Sequence, residues 1–173
     1  MIQAQTKQEI GRAKNAIQDY LIQRLLIPKV YLDADWNGTQ VDVLAIDRAG
    51  VGDVHAVRMV PPQGRVEDGS LALIARKVSS AVVELKCLPS HYSYIAIASD
   101  DPNARRFSPA DAILQETFAE DGVGRVGILY VDFTIEPPVQ VKLKPERFRS
   151  SKEIVELADR FVAEHTANWE YRE

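Results

Sequence analysis

Residues 39–60, TQVDVLAIDRAGVGDVHAVRMV, decide the fold. Two apolar runs, TQVDVLAID (39–47) and DVHAVRMV (53–60), flank a turn made of Arg48, Ala49, Gly50, Val51 and Gly52. Both runs are nearly continuous in apolar residues, as expected of strands in a sheet that is covered on its two faces. They should pair as an antiparallel hairpin. With the turn centred on Gly50, opposed residues have numbers summing to about 100. That register sets Asp42 opposite Arg58, Leu44 opposite Ala56 and Ile46 opposite Val54. The other face then collects Val41, Val43, Ala45, His55, Val57 and Met59. A lone carboxylate in so apolar a strand would cost roughly several kcal/mol, and the guanidinium of Arg58 offers it a bidentate partner.

Working outward, KVYLDAD (29–35) reads as a first or edge strand, followed by a turn at Asn37-Gly38. Before it, Ile10, Ala13, Ile17, Leu21 and Leu25 recur at spacings of three and four, which predicts a helix over about 6–26. Thr6 and Glu9 have the spacing of a capping box, and Pro28 closes the segment. After the hairpin, Pro61-Pro62 ends the strand and a polar loop runs to Gly69. Ser70 then opens a helix over about 70–87, striped by Leu71, Ile74, Val78, Ala81, Val82 and Leu85 and stopped by Pro89. SYIAIAS (93–99) is a buried strand. Ser108-Pro109 starts a third helix that ends near Asp121-Gly122.

RVGILYVDF (125–133) and VQVKLKP (139–145) are further strands, on either side of Pro137-Pro138. A last helix begins at Ser150 or Ser151, with Glu153 placed for a capping box, and runs to about Trp169. Ile154, Leu157, Ala158, Phe161 and Val162 form its inner face. The order α-β-β-β-α-β-α-β-β-α specifies an α/β sandwich with a mixed sheet and helices on both faces.

The chain has 173 residues, 46% of them hydrophobic and 27% charged. That suits one globular domain with an ordinary core and excludes a disordered or collagen-like chain. No stretch approaches the ~18 apolar residues of a membrane span, and the first residues lack the apolar core of a signal peptide. The single cysteine, Cys87, excludes an internal disulfide and a Cys-rich zinc site. A cytoplasmic protein with no membrane association is expected. The formal charge of −4 argues against a dedicated nucleic-acid coat, though a local basic groove stays open.

The meander of three strands after the first helix, VDVLAID then DVHAVRMV, followed by a helix and SYIAIAS, resembles the restriction-endonuclease-like fold of the PD-(D/E)xK nuclease superfamily. The later run DGVGRVGILYVDF is similar to a Gly-led strand that follows the third helix in some members. The resemblance implies a three-layer sandwich and a divalent-metal site. In the family, an acid on the second strand and an acid-x-lysine on the third hold the cation and the attacking water. Asp42 matches the first acid. The third-strand positions carry Ala56, Val57 and Arg58, so an acid and a lysine are both replaced. Arginine is a poor proton acceptor, with a pKa above about 12.

The resemblance therefore implies a degenerate active site of Asp42 and Arg58, with Glu9 nearby because some members use an acid from the first helix. The guanidinium of Arg58 would take the place of the metal, with no cofactor. The expected function is a binding or regulatory subunit, as a homodimer or with a protein partner. The alternative is a Mg²⁺-dependent nuclease in which Asp42 is the metal ligand and the missing groups have migrated, with Lys77, Glu67 and Asp68 the nearest in sequence. A third reading is nucleic-acid binding without cleavage by the basic segment Lys142, Lys144, Arg147, Arg149 and Lys152. In it Lys142 and Lys144 would share a strand face.

Other polar residues read as structural. Glu84-Leu85-Lys86 is a literal acid-x-lysine, but it continues a helical stripe. His55, His91 and His165 have no metal-ligand spacing. Cys87 reads as a buried thiol, and Asp33 and Asp35 as residues of a solvated turn.

Overall fold

The computed structural model describes residues 2–47, 52–60, 70–98, 126–148 and 152–167. Helix α1 spans Ile2–Gln23 and is followed by β1 (Lys29–Trp36), β2 (Thr39–Ile46) and β3 (Val54–Val60). Then come α2 (Ser70–Cys87), β4 (Tyr92–Ala98), β5 (Gly127–Val131), β6 (Val139–Leu143) and a last helix, α3 (Lys152–Ala167). The six strands form one sheet in the order β1-β2-β3-β4-β5-β6. β1 to β3 are an antiparallel meander, β3, β4 and β5 run parallel, and β6 is antiparallel to β5. The expected mixed α/β sheet is present. The helix expected over 108–121 lies outside the described residues, as do the polar loop before Ser70 and the residues Glu67 and Asp68. Among the described residues, no helix is long and apolar enough to cross a membrane.

One face of the sheet packs on α1, through Ala13, Ile17 and Leu21 against Val43, Ala45, Val57, Ala96 and Leu129. The opposite face packs on α2 and α3, where Val82, Leu85, Ile154 and Phe161 meet Leu44, Ile46, Ala56 and Ile95. Burial on both faces accounts for the unbroken apolar strands. The hairpin has the register that its turn implies, with Val43↔Val57, Leu44↔Ala56, Ala45↔His55 and Ile46↔Val54.

Helix α1 departs from the expected bounds at both ends. It begins at Ile2, so Thr6 and Glu9 lie inside the helix rather than at its start. It stops at Gln23 because Leu26 takes a left-handed φ of 57°. Ile27 N–H then returns to the Leu21 carbonyl at 3.1 Å, and Ile27 joins the same core cluster as Leu21. The left-handed Leu26 breaks the helical path, and the wide Ile27-to-Leu21 bond occupies one of the helix's last free carbonyls. Leu25 consequently leaves the apolar stripe and is exposed. Cys87 is exposed as well, since two residues past Leu85 is about 200° around the helix.

Gly127 opens β5 where the chain passes closest to its neighbours. A Cβ there would sit 2.8 Å from Pro145 Cδ, 2.9 Å from the Pro145 nitrogen and 2.9 Å from the Tyr94 ring. Because backbone is among those contacts, Gly127→Ala should lower stability by about 1–3 kcal/mol, read as a lower urea midpoint at constant slope. An unchanged midpoint would show that the Pro145 segment moves aside freely.

Candidate functional site

The face pattern of the hairpin breaks at Asp42. Two residues apart in a regular strand share a face, yet Val41 packs toward α2 and α3 while Val43 packs toward α1. The same switch occurs across Asp33 in β1, where Leu32 packs toward α1 and Ala34 toward the other side. Asp33 has a φ of 50°, and the β1–β2 register runs from Leu32↔Val43 to Ala34↔Val41 without pairing Asp33 and Asp42. A left-handed residue cannot preserve period two. Val41 is therefore not on the face shared by Val43, Ala45 and Met59.

The β2–β3 ladder also ends at Val43↔Val57, one pair short of Asp42 and Arg58. Side chains bridge the fork that opens there. Asp42 Oδ2 accepts the Met59 N–H at 2.8 Å, standing in for a backbone acceptor. Arg58 donates to the Gln40 carbonyl at 2.9 Å. The fork lies at the carboxyl end of β3, the end of a parallel strand where open α/β sheets form their crevices.

Asp42 meets its nearest cation from α1 rather than from β3. Lys14 Nζ lies 3.0 Å from Asp42 Oδ1 and also donates to Asp33. Arg58 stands 3.8 Å from Asp42 Oδ2 and 3.3 Å from Glu84 of α2. The five charges form a chain, Asp33–Lys14–Asp42–Arg58–Glu84, that joins the helix on one face of the sheet to a helix on the other. Burial opposes the charge on Lys14, but its bonds to Asp33 and Asp42 outweigh this and hold its pKa above the ordinary lysine value. Lys14 stays an ammonium at neutral pH.

The expected ion pair of Asp42 with Arg58 is thus the looser of two contacts, because the strand switch turns the carboxylate toward α1. Sequence reading missed Lys14. Its signal was present: Ile10, Lys14, Ile17 and Leu21 follow the inner stripe at spacings of four, three and four, and a lysine on a buried stripe needs a partner. Asp33 is solvated as expected, with its side chain 69% exposed, but it sits inside β1 rather than in a turn and is that partner. Lys14→Met should cost about 1–2 kcal/mol, as charged hydrogen bonds are lost, and the loss should shrink at high salt. A salt-independent loss in urea titrations would instead point to packing of the side-chain stem.

The other sequence candidates fall elsewhere. Glu9 is five residues before Lys14, hence about 140° around α1 from it. Arg147 is held by Asp53 at 2.6 Å and Phe148 N–H by the His91 carbonyl at 2.8 Å. Arg147 is therefore a tether for the segment after β6 rather than a free phosphate contact. Lys142 is exposed, with its ammonium 5.8 Å from the Tyr130 ring centroid. Lys144 is exposed and follows the end of β6, so the two lysines do not share a strand. Glu84 and Lys86 are helical, and Glu84 serves Arg58. The Lys77 side chain lies outside the described residues.

Each of the three histidines is engaged by neighbours within the fold. His91 Nδ1 accepts the Val54 N–H at 2.9 Å, so it is a neutral imidazole and its 3.8 Å approach to Asp53 is no ion pair. Burial lowers its pKa accordingly. His55 stacks on Tyr92 with ring centroids 4.8 Å apart, and its Nδ1 lies 3.3 Å from the Tyr94 hydroxyl. His165 Nδ1 donates to the Phe161 carbonyl one turn back at 2.8 Å. Among the described residues, no group of three His, Cys, Asp or Glu is placed to hold a metal ion.

No family model matches the chain, and no curated protein matches it. Among solved structures it is similar to the SPO1766 protein of unknown function from Silicibacter pomeroyi. The identity is 13% and the TM-score 0.55, over 94% of this chain and 87% of that one. At this identity the likeness extends to the fold alone.

Proposed function

We propose that the chain is a diverged restriction-endonuclease-like domain that acts as a binding or regulatory subunit and does not cleave. The element order supports the reading: a helix, an antiparallel meander, then a helix leading to a parallel fourth strand. Its binding target is a protein, either a second copy or a different chain.

The observation that carries the proposal is the state of Asp42. Its two oxygens are taken by the Lys14 ammonium and the Met59 N–H, with Arg58 beyond them. A Mg²⁺ ion requires a near-octahedral set of oxygens at about 2.0–2.1 Å. Ala56 supplies none, and Lys14 and Arg58 already stand beside the carboxylate. These residues do not fit the metal that the family resemblance implies. On this reading, side-chain cations take over the role of the family's cation, one of them delivered by α1.

Titrating the protein with Mn²⁺ by calorimetry, beside Asp42→Ala, tests this. No saturable heat is expected for either protein. Saturable binding that disappears in Asp42→Ala would overturn the proposal in favour of a Mg²⁺-dependent nuclease.

A further inference from the structure

We draw no further inference here: the strongest candidate, the open groove of about 400 Å³ between α1 and the β5–β6 connection, sets the guanidiniums of Arg12 and Arg24 against the carboxylates of Asp19 and Glu136, so it selects no class of ligand, and nothing in the structure shows what covers it.

Discussion

Trp36→Ala should lower the stability of this protein by about 3–5 kcal/mol, the range for removing a large aromatic side chain from a core. Trp36 ends β1 with its side chain fully buried. Its indole N–H donates to the Pro89 carbonyl at 3.0 Å, and its ring meets Phe161 edge-on with centroids 5.5 Å apart. One residue thus ties the edge strand to the α2–β4 connection and to α3. For a chain of this length the melting temperature should fall by roughly 10 °C or more. Trp36→Phe keeps an aromatic ring but loses the donor and three buried ring atoms, so it should cost less than Trp36→Ala, about 1–3 kcal/mol. A loss below about 1.5 kcal/mol for Trp36→Ala would mean that α3 and the α2–β4 connection are not anchored through this ring.

The second large effect is a dependence on acid centred on His55. Burial pushes its pKa down to about 4, with Asp53 and Asp47 offsetting only part of that. Its folded pKa is depressed relative to the unfolded value of about 6.5, so the unfolded chain binds the proton first. Stability is therefore complete above about pH 6.5 and declines as pH falls from there toward 4. The loss should reach about 2 kcal/mol by pH 5 and roughly 3 kcal/mol in full. His55→Gln keeps an acceptor for the Tyr94 hydroxyl and has no titrating ring. Its urea midpoint should be flatter than wild type between pH 6.5 and 5, a window above the titration of ordinary carboxylates. Parallel pH profiles for the two proteins would rule out a buried neutral His55. His91 is shifted in the same direction and remains in both proteins, so the difference isolates His55.

The pairing of Asp42 shows why a site is harder to read than the strand that carries it. A hairpin register is a counting problem, and the glycine turn sets the count. The direction of one side chain is not, because it depends on whether period two survives up to that residue. Here it fails across Asp33 and Asp42, where a single left-handed residue turns the strands over. Arg58 is therefore shared with Glu84 and the Gln40 carbonyl, while Lys14 takes the nearer position.

Local chemistry alone determined much of this protein. Among the described residues, the order of the elements, the pairing of Leu44 with Ala56, the stripe Val78–Val82–Leu85 in α2 and the inner face of α3 follow from periodicity, glycine turns and prolines. Those signals act between residues a few positions apart, and the sequence displays them directly. Tertiary structure decided the rest. Whether α1 ends at Gln23 depended on Leu26 accepting a conformation that Ile27 rewards by joining the core with Leu21. Whether Asp42 pairs with Arg58 or Lys14 depended on α1 crossing the sheet at the β2–β3 fork. Whether Arg147 is free depended on Asp53, 94 positions away. Such contacts are set by how layers pack against one another, and no spacing along the chain encodes them.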